Sequence, residues 1–352
     1  MSLLIYGANG YTGALVAQRA VERGLRPILA GRRAETVAPL AQRLGLESRV
    51  FALDDPQAID AGCAGATVVL NCAGPFSRTA TPLALACLRA HAHYLDITGE
   101  IAVFESLAAR DALARAAGSM LLPGAGFDVV PSDCLGAHVA QRLPSATHLT
   151  LAIEVRSRTS HGTATTMVEN IGAGGMIRRA GKLTPVPAAW RTRVVDLGEG
   201  PTRVVSLPWG DVSTAYYTTR IPNIEVYFAG PAALRFGLRM TRWLGPLLAT
   251  APVQGFLKQR VKARPAGPDD RHRERSCALL WAEARDDEGR AAAARLRTPE
   301  AYELTRLAAI DLAERALRGD VKPGFATPAG AYGKDLVLGI PGVVRTDLEA
   351  AP

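Results

Sequence analysis

The chain has 352 residues, more than one compact domain usually holds, so two separate cores are expected. Hydrophobic residues make up 48% and charged residues 21%, a globular composition that excludes a disordered or fibrous chain. The net charge of +8 is nearly all an arginine excess, with 36 of the 41 basic residues arginine, and it suits an anionic ligand, lipid or nucleic acid alike.

Other classes fall to simple counts. No uninterrupted run of about 18 apolar residues occurs, so no spanning helix is expected. Met1-Ser2 leads straight into Leu3-Leu-Ile-Tyr6 with no basic leader, which points to a cytoplasmic protein without a secretory signal. The five cysteines (63, 72, 87, 134, 277) are odd in number and form no C-x-x-C pair, so reduced thiols are expected and no metal. No zinc-finger spacing, RNP-type strand or basic zipper appears, so no nucleic acid partner is expected.

Residues 2–142 alternate short apolar runs with Ala/Leu/Arg-rich helical patterns. Strands are expected at 3–6, 27–30, 49–53, 67–71, 94–97 and 120–123, and helices at 12–23, 34–44, 79–92 and 101–116. Apolar runs without polar alternation suit strands covered on both faces, and the β-α rhythm implies a doubly wound parallel (Rossmann) sheet. From about 147 to 228 the pattern turns to Thr, Val, Ile and Tyr with polar alternation, which predicts a mixed sheet in a second α+β domain. A helix is expected near 163–172, another stretch of helix over 231–262, a strand at 277–284 and a long helix at 299–318. The domains are then 1–142 for the nucleotide, with 299–352 returning to it, and 143–298 for substrate and dimerisation.

The strongest local signal is Gly7-Ala-Asn9-Gly10-Tyr11-Thr12-Gly13, directly after the first strand and opening the first helix. Such glycines let a backbone approach a pyrophosphate, which a helix N-terminus then binds through its free N–H groups. The second strand runs into Gly31-Arg32-Arg33, with no acid between Gly24 and Ala34 to take the ribose hydroxyls. A guanidinium pair there suits a 2′-phosphate, so NADPH is expected over NADH. Two more loops fall at strand ends. Asn71-Cys72-Ala73-Gly74-Pro75 would pass the ribose and diphosphate, and Gly126-Phe127 within 124–133 would close over the nicotinamide. Cys72 reads as a packing residue rather than a nucleophile.

Taken together, Gly7–Gly13, Ala30-Gly-Arg-Arg33, Asn71–Pro75, Tyr94-Leu-Asp-Ile-Thr-Gly-Glu100 and Gly124-Ala-Gly-Phe-Asp128 resemble the saccharopine dehydrogenase-like family. The resemblance implies a Rossmann NAD(P) domain joined to a largely β substrate domain. Trp209-Gly-Asp-Val-Ser-Thr-Ala-Tyr216 and Ile221-Pro-Asn-Ile-Glu-Val-Tyr227 resemble the trans-acting enoyl reductase branch, which implies NADPH-dependent reduction of an α,β-unsaturated acyl chain alongside polyketide synthases. The expected partners are a small-molecule or acyl-thioester substrate, free or carrier-bound, and a second copy of the chain. The alternatives are imine reduction of an amino-acid conjugate and a non-catalytic NADPH-binding protein at a lipid surface.

For the chemistry, Tyr216 and Asp128 are the catalytic candidates, Tyr216 as proton donor or carbonyl-polarising hydroxyl and Asp128 as an acid at a strand end. Asp96 and Glu100 sit at similar positions, Glu100 equally suited to capping a helix. His161 beside Gly162 is a further loop candidate. In 231–262, Arg235, Arg239 and Arg242 recur at i, i+4 and i+7 while Leu234, Phe236, Leu238, Met240, Trp243 and Leu244 fill the remainder. That pattern fits a core helix with a solvated arginine stripe, or peripheral contact with a membrane.

Overall fold

The computed structural model describes residues 2–349, without the side chains of Leu234 and Pro246. Met1 and 350–352, the outer ends of the two expected nucleotide-domain ranges, lie outside the described residues, as does the side chain of Leu234. The chain forms two compact units, one of residues 1–130 and 302–331 and one of 131–301 and 332–352.

The first unit is built on six strands, β1 Leu3–Tyr6, β2 Ile28–Gly31, β3 Ser48–Val50, β4 Val68–Asn71, β5 His93–Asp96 and β6 Met120–Leu122. The short strand Gly324–Phe325 makes a seventh, and the order is Gly324–Phe325, β6, β5, β4, β1, β2, β3. Every pairing is parallel. β1, β2 and β4 are buried along their whole length. Their apolar runs leave no polar side for water, so helices must cover both faces. Order reverses between β1 and β4, which sets the crevice for a ligand at the C-terminal ends of those strands.

Helices α1 Tyr11–Glu22, α2 Ala34–Leu44, α3 Pro56–Cys63, α4 Phe76–Arg89, α5 Ile101–Ala108 and α6 Asp111–Ala116 link the strands. Local signals place α3, where Asp55 accepts from the Gln57 amide at 2.9 Å and Pro56 opens the first turn. The expected single helix over 101–116 is two. Arg110 leaves helical dihedrals between them, and Asp111 accepts from the Phe325 amide at 2.8 Å, tying the second piece to the returning strand.

The second unit opens with α7 Val130–Arg142, a helix inside the range 1–142 expected for the nucleotide domain. Ser132 donates to Asp211 at 2.9 Å, the His138 ring meets Asp347 at 2.6 Å, and Arg142 donates to the Ala293 carbonyl at 2.7 Å. These long-range bonds fasten the helix to the second sheet, and no run of sequence announces them. The sheet holds β7 His148–Val155, β8 Gly175–Arg179, β9 Lys182–Val186, β10 Thr192–Asp196, β11 Pro201–Ser206, β12 Asn223–Ala229, β13 Cys277–Arg285 and β14 Ala291–Pro299, with Val344–Leu348 at the edge beside β14. β7 and β12 run parallel and the other pairs antiparallel, so the sheet is mixed. Because Val344–Leu348 pairs with β14, only 302–331 of the C-terminal region returns to the first unit. Helices α8 His161–Glu169, α9 Asp211–Thr219, α10 Ala232–Leu248 and α11 Ala251–Lys262 complete the part that matters below.

Candidate functional site

The glycine-rich turn leaves β1 and enters α1 with almost no spare volume. Gly7 has φ +77°, and a Cβ there would lie 2.7 Å from Ala73 backbone and side-chain atoms. A Cβ at Gly13 would lie 2.2 Å from the Gly7 carbonyl oxygen. The turn is pinned by the Gly7 amide donating to Ala30 at 2.8 Å and the Gly10 amide to Gly7 at 3.0 Å. Gly10 is the N-cap of α1, no side chain caps the helix, and its first turn holds no acid. An uncapped helix start with a positive dipole end is therefore presented at the switch point, with Asn9 and Gly10 exposed and Tyr11 and Thr12 half-buried. Tyr11 also stacks edge-on with Tyr302, centroids 5.1 Å apart.

Two arginines stand at the end of β2. Both are exposed, and Arg33 reaches Glu35 at 3.7 Å. Arg32 has no hydrogen-bond or ion-pair partner among the described residues. Its charge is felt by Tyr6, whose buried hydroxyl is pushed up to about 12 by desolvation while Arg32 pulls it down.

The Asn71–Pro75 loop is held from below. The buried Asn71 side chain donates to Thr79 Oγ1 at 3.0 Å and to the Tyr94 hydroxyl at 3.1 Å, and accepts from the Ala73 amide at 3.0 Å. Tyr94 in turn donates to Asp96 at 2.8 Å. Asp96, fully buried, also accepts from the Thr98 amide at 2.9 Å and the Gly124 amide at 3.0 Å. Burial pushes its carboxyl up to about 6 despite those donors. Thus Asn71 and Asp96 shape the loops rather than present their polar atoms to a ligand. Gly74–Pro75 is a cis peptide. The Cys72 thiol is buried and held far above its usual range by desolvation and then by the Asp96 charge, so it is an inert packing group.

Glu100 proves to be a cap. Its two carboxylate oxygens accept from the Phe76 amide at 2.8 Å and the Ser77 amide at 2.9 Å, which starts α4 three residues ahead of the sequence expectation. On the last loop, the Phe127 amide donates to Thr305 Oγ1 at 3.0 Å, and a Cβ at Gly126 would come within 3.0 Å of the Thr305 methyl. The returning helix Ala301–Leu317 therefore fixes this turn. Asp128 is half-buried against Gly99, and desolvation pushes its carboxyl up to about 6.

Tyr216 lies in the second unit on the helix α9, inside the stretch 147–228 whose pattern predicts sheet. The buried Arg178 guanidinium sits 4.4 Å from its ring centroid, and that guanidinium donates to the Val212 and Gly181 carbonyls, both at 2.9 Å. His161 is the first residue of α8, and its ring meets the Arg264 carbonyl at 2.6 Å, a structural contact. A cavity of about 350 Å³ opens on the second sheet. Arg191, Arg193, Glu225 and Glu283 are among its lining residues and pair at 3.0 Å (Arg191–Glu225) and 3.8 Å (Arg193–Glu283).

The geometry of the first unit fits a phosphorylated dinucleotide. Its glycines leave room only for backbone, α1 is uncapped, and an unpartnered guanidinium stands at the second strand where an acid would serve NADH. Comparison with known proteins agrees. A trans-acting enoyl reductase from Mycobacterium leprae (strain TN) is 34% identical over 139 residues, 37% of this chain and 33% of that protein. The corresponding protein of Mycobacterium tuberculosis (strain ATCC 25618 / H37Rv) is 33% identical over the same length. The match therefore spans about a third of the length of these curated relatives. Saccharopine dehydrogenase (L-Glu forming) from Saccharomyces cerevisiae superposes with a TM-score of 0.64 over 99% of this chain and 100% of that one, at 9% identity, a likeness of fold. Residues 3–122 match the saccharopine dehydrogenase NADP binding domain family, and that stretch of the chain is an NADP-binding domain of this type.

Proposed function

We propose that the chain is an NADPH-dependent oxidoreductase that reduces an α,β-unsaturated acyl group. The observation that carries the coenzyme half of this reading is Arg32, exposed and unpartnered beside an uncapped helix start. The acyl half rests on the activity named for the mycobacterial relatives and on the stretch Trp209–Tyr216. Gly7, Gly10 and Gly13, with the backbone around Asn9, Tyr11 and Thr12, would hold the diphosphate, while Arg32 and Arg33 would take the 2′-phosphate. Ala73 to Pro75 and Gly126-Phe127 would border the ribose and nicotinamide of a bound coenzyme. When bound, the reduced nicotinamide supplies a hydride equivalent.

Saturating a C=C bond next to a carbonyl also requires one proton at the α-carbon and polarisation of the carbonyl. We assign those duties to Asp128 and Tyr216. Asp128, pushed up to about 6, holds a proton far more readily than an exposed carboxylate. Tyr216 packs its ring under Arg178 and carries a phenolic hydroxyl that can donate a hydrogen bond. The test is loss of NADPH absorbance against enoyl thioesters and against keto-acid/amine mixtures. Turnover of enoyl thioesters is expected, with kcat lowered in Asp128→Asn and Tyr216→Phe while NADPH affinity holds. Turnover confined to imine-forming mixtures would replace the substrate assignment.

A further inference from the structure

The helix pair α10–α11 is amphipathic in an inverted sense. Phe236, Met240, Trp243 and Leu247 recur at i, i+4, i+7 and i+11 and so share one face of α10. That face points to solvent, with Trp243 81%, Phe236 66% and Leu247 60% exposed. Leu244 and Phe256 of α11 widen the apolar surface. The arginine stripe is solvated at Arg239 and Arg242, as expected, and those two also tether the helix. Arg239 donates to Thr192 Oγ1 at 2.9 Å, Arg242 to the Ala188 and Ala189 carbonyls, and Arg235 to the Gly230 carbonyl. Gly245 seats the helix against Gly172, where a Cβ would come within 3.2 Å of the opposing Cα. Single exposed apolar residues are ordinary, but an aligned row of aromatic and aliphatic side chains marks a contact surface.

Charge says what covers it. Between Val226 and Pro268 there is no Asp or Glu, while Arg235, Arg239, Arg242, Lys258, Arg260, Lys262 and Arg264 give that stretch seven positive charges. Lys258 pairs with Glu169 at 2.7 Å, whereas Arg260, Lys262 and Arg264 are exposed without an acidic partner. A second copy of the chain would bring the same charges face to face. A layer of anionic headgroups over hydrocarbon meets both features at once. No helix among the described residues is long and apolar enough to cross a membrane, so the contact is one of lying on the surface.

We propose that α10–α11 docks this protein on anionic lipid bilayers, with Phe236, Trp243 and Leu247 entering the headgroup–acyl boundary and Arg260, Lys262 and Arg264 meeting lipid phosphates. This goes beyond the coenzyme reading and stands independently of it. The test is co-sedimentation of the full chain with phosphatidylcholine vesicles and with vesicles containing about 30% phosphatidylserine. Binding to the anionic vesicles, about tenfold or more weaker on neutral ones and released by high salt, is expected. Phe236→Glu/Trp243→Glu should abolish it. Leu113→Glu, at an apolar residue of α6 that is 59% exposed, should leave it intact. Circular dichroism and a cooperative thermal melt matching the wild type report that each variant is folded. Equal retention on neutral and anionic vesicles overturns the proposal, as does absence of binding to either. So does a dimer in solution that ignores vesicles and that Phe236→Glu/Trp243→Glu splits into monomers, since a second copy would then be the occupant.

Discussion

Replacing Arg32 with alanine is the sharpest probe of the coenzyme site. The side chain is exposed and free of partners, so its removal breaks no bond of the protein's own and should leave the fold unchanged. On the proposed reading it removes a charge-assisted contact to the 2′-phosphate, which would be worth about 2 kcal/mol for a hydrogen bond to a charged group in a partly solvated setting. That energy corresponds to a roughly 30-fold rise in Kd for NADPH. NADH lacks the phosphate, and its affinity should change by less than about twofold. Arg33, already drawn to Glu35 at 3.7 Å, should give a smaller effect when replaced. Isothermal titration with both coenzymes measures the difference directly, and the NADPH preference should shrink as salt is raised. An equal loss for NADPH and NADH in Arg32→Ala would refute the assignment of the 2′-phosphate to this corner.

Gly13→Ala forces a Cβ to 2.2 Å from the Gly7 carbonyl, so we expect a loss of about 2–3 kcal/mol in stability by denaturant melts, together with weaker NADPH binding. A near-neutral result would mean the turn is looser than described. Glu100→Ala strips two amides of α4 of their acceptor and should cost about 1–2 kcal/mol while leaving the NADPH-over-NADH preference untouched. A change in that preference would place Glu100 on the coenzyme instead. Asp96 carries a carboxyl raised to about 6, so the folded state binds its proton more readily than the unfolded chain between about pH 4 and 6. Stability of the wild type relative to Asp96→Asn should therefore rise as pH falls from about 7 to 5, by about 1 kcal/mol in denaturant melts, and a fall would reverse the sign of the argument.

The nucleotide-binding half was legible because its signals are local. β1, β2 and β4 are short apolar runs buried on both faces, and the glycines of 7–13 stand where a strand must turn tightly into a helix. Features set by distant partners were not legible. The start of α4 depends on Glu100, 24 positions from Phe76, and the allegiance of α7 on partners such as Asp211 and Asp347. β14 escaped notice because its Ala-Ala-Ala-Ala-Arg run has helical propensity, which nine-residue pairing with β13 overrides. The place of Asn71 at a strand end suggests a coenzyme contact, while the bonds of its side chain to Thr79, Tyr94 and the Ala73 amide are displayed only by tertiary structure. The orientation of α10 was equally hidden, since periodicity gives the faces of a helix but not which one the body of the protein holds.

One carboxylate, that of Asp96, gathers the ends of three neighbouring strands, reaching β4 through Tyr94 and Asn71, its own loop through Thr98, and the turn after β6 through Gly124. Loops knotted to a common centre move together or not at all. Any opening of the crevice is then expected at the opposite rim, where Asn9, Gly10, Arg32 and Arg33 face water. Exchange of the coenzyme should begin at its adenosine end, with the nicotinamide floor staying rigid throughout.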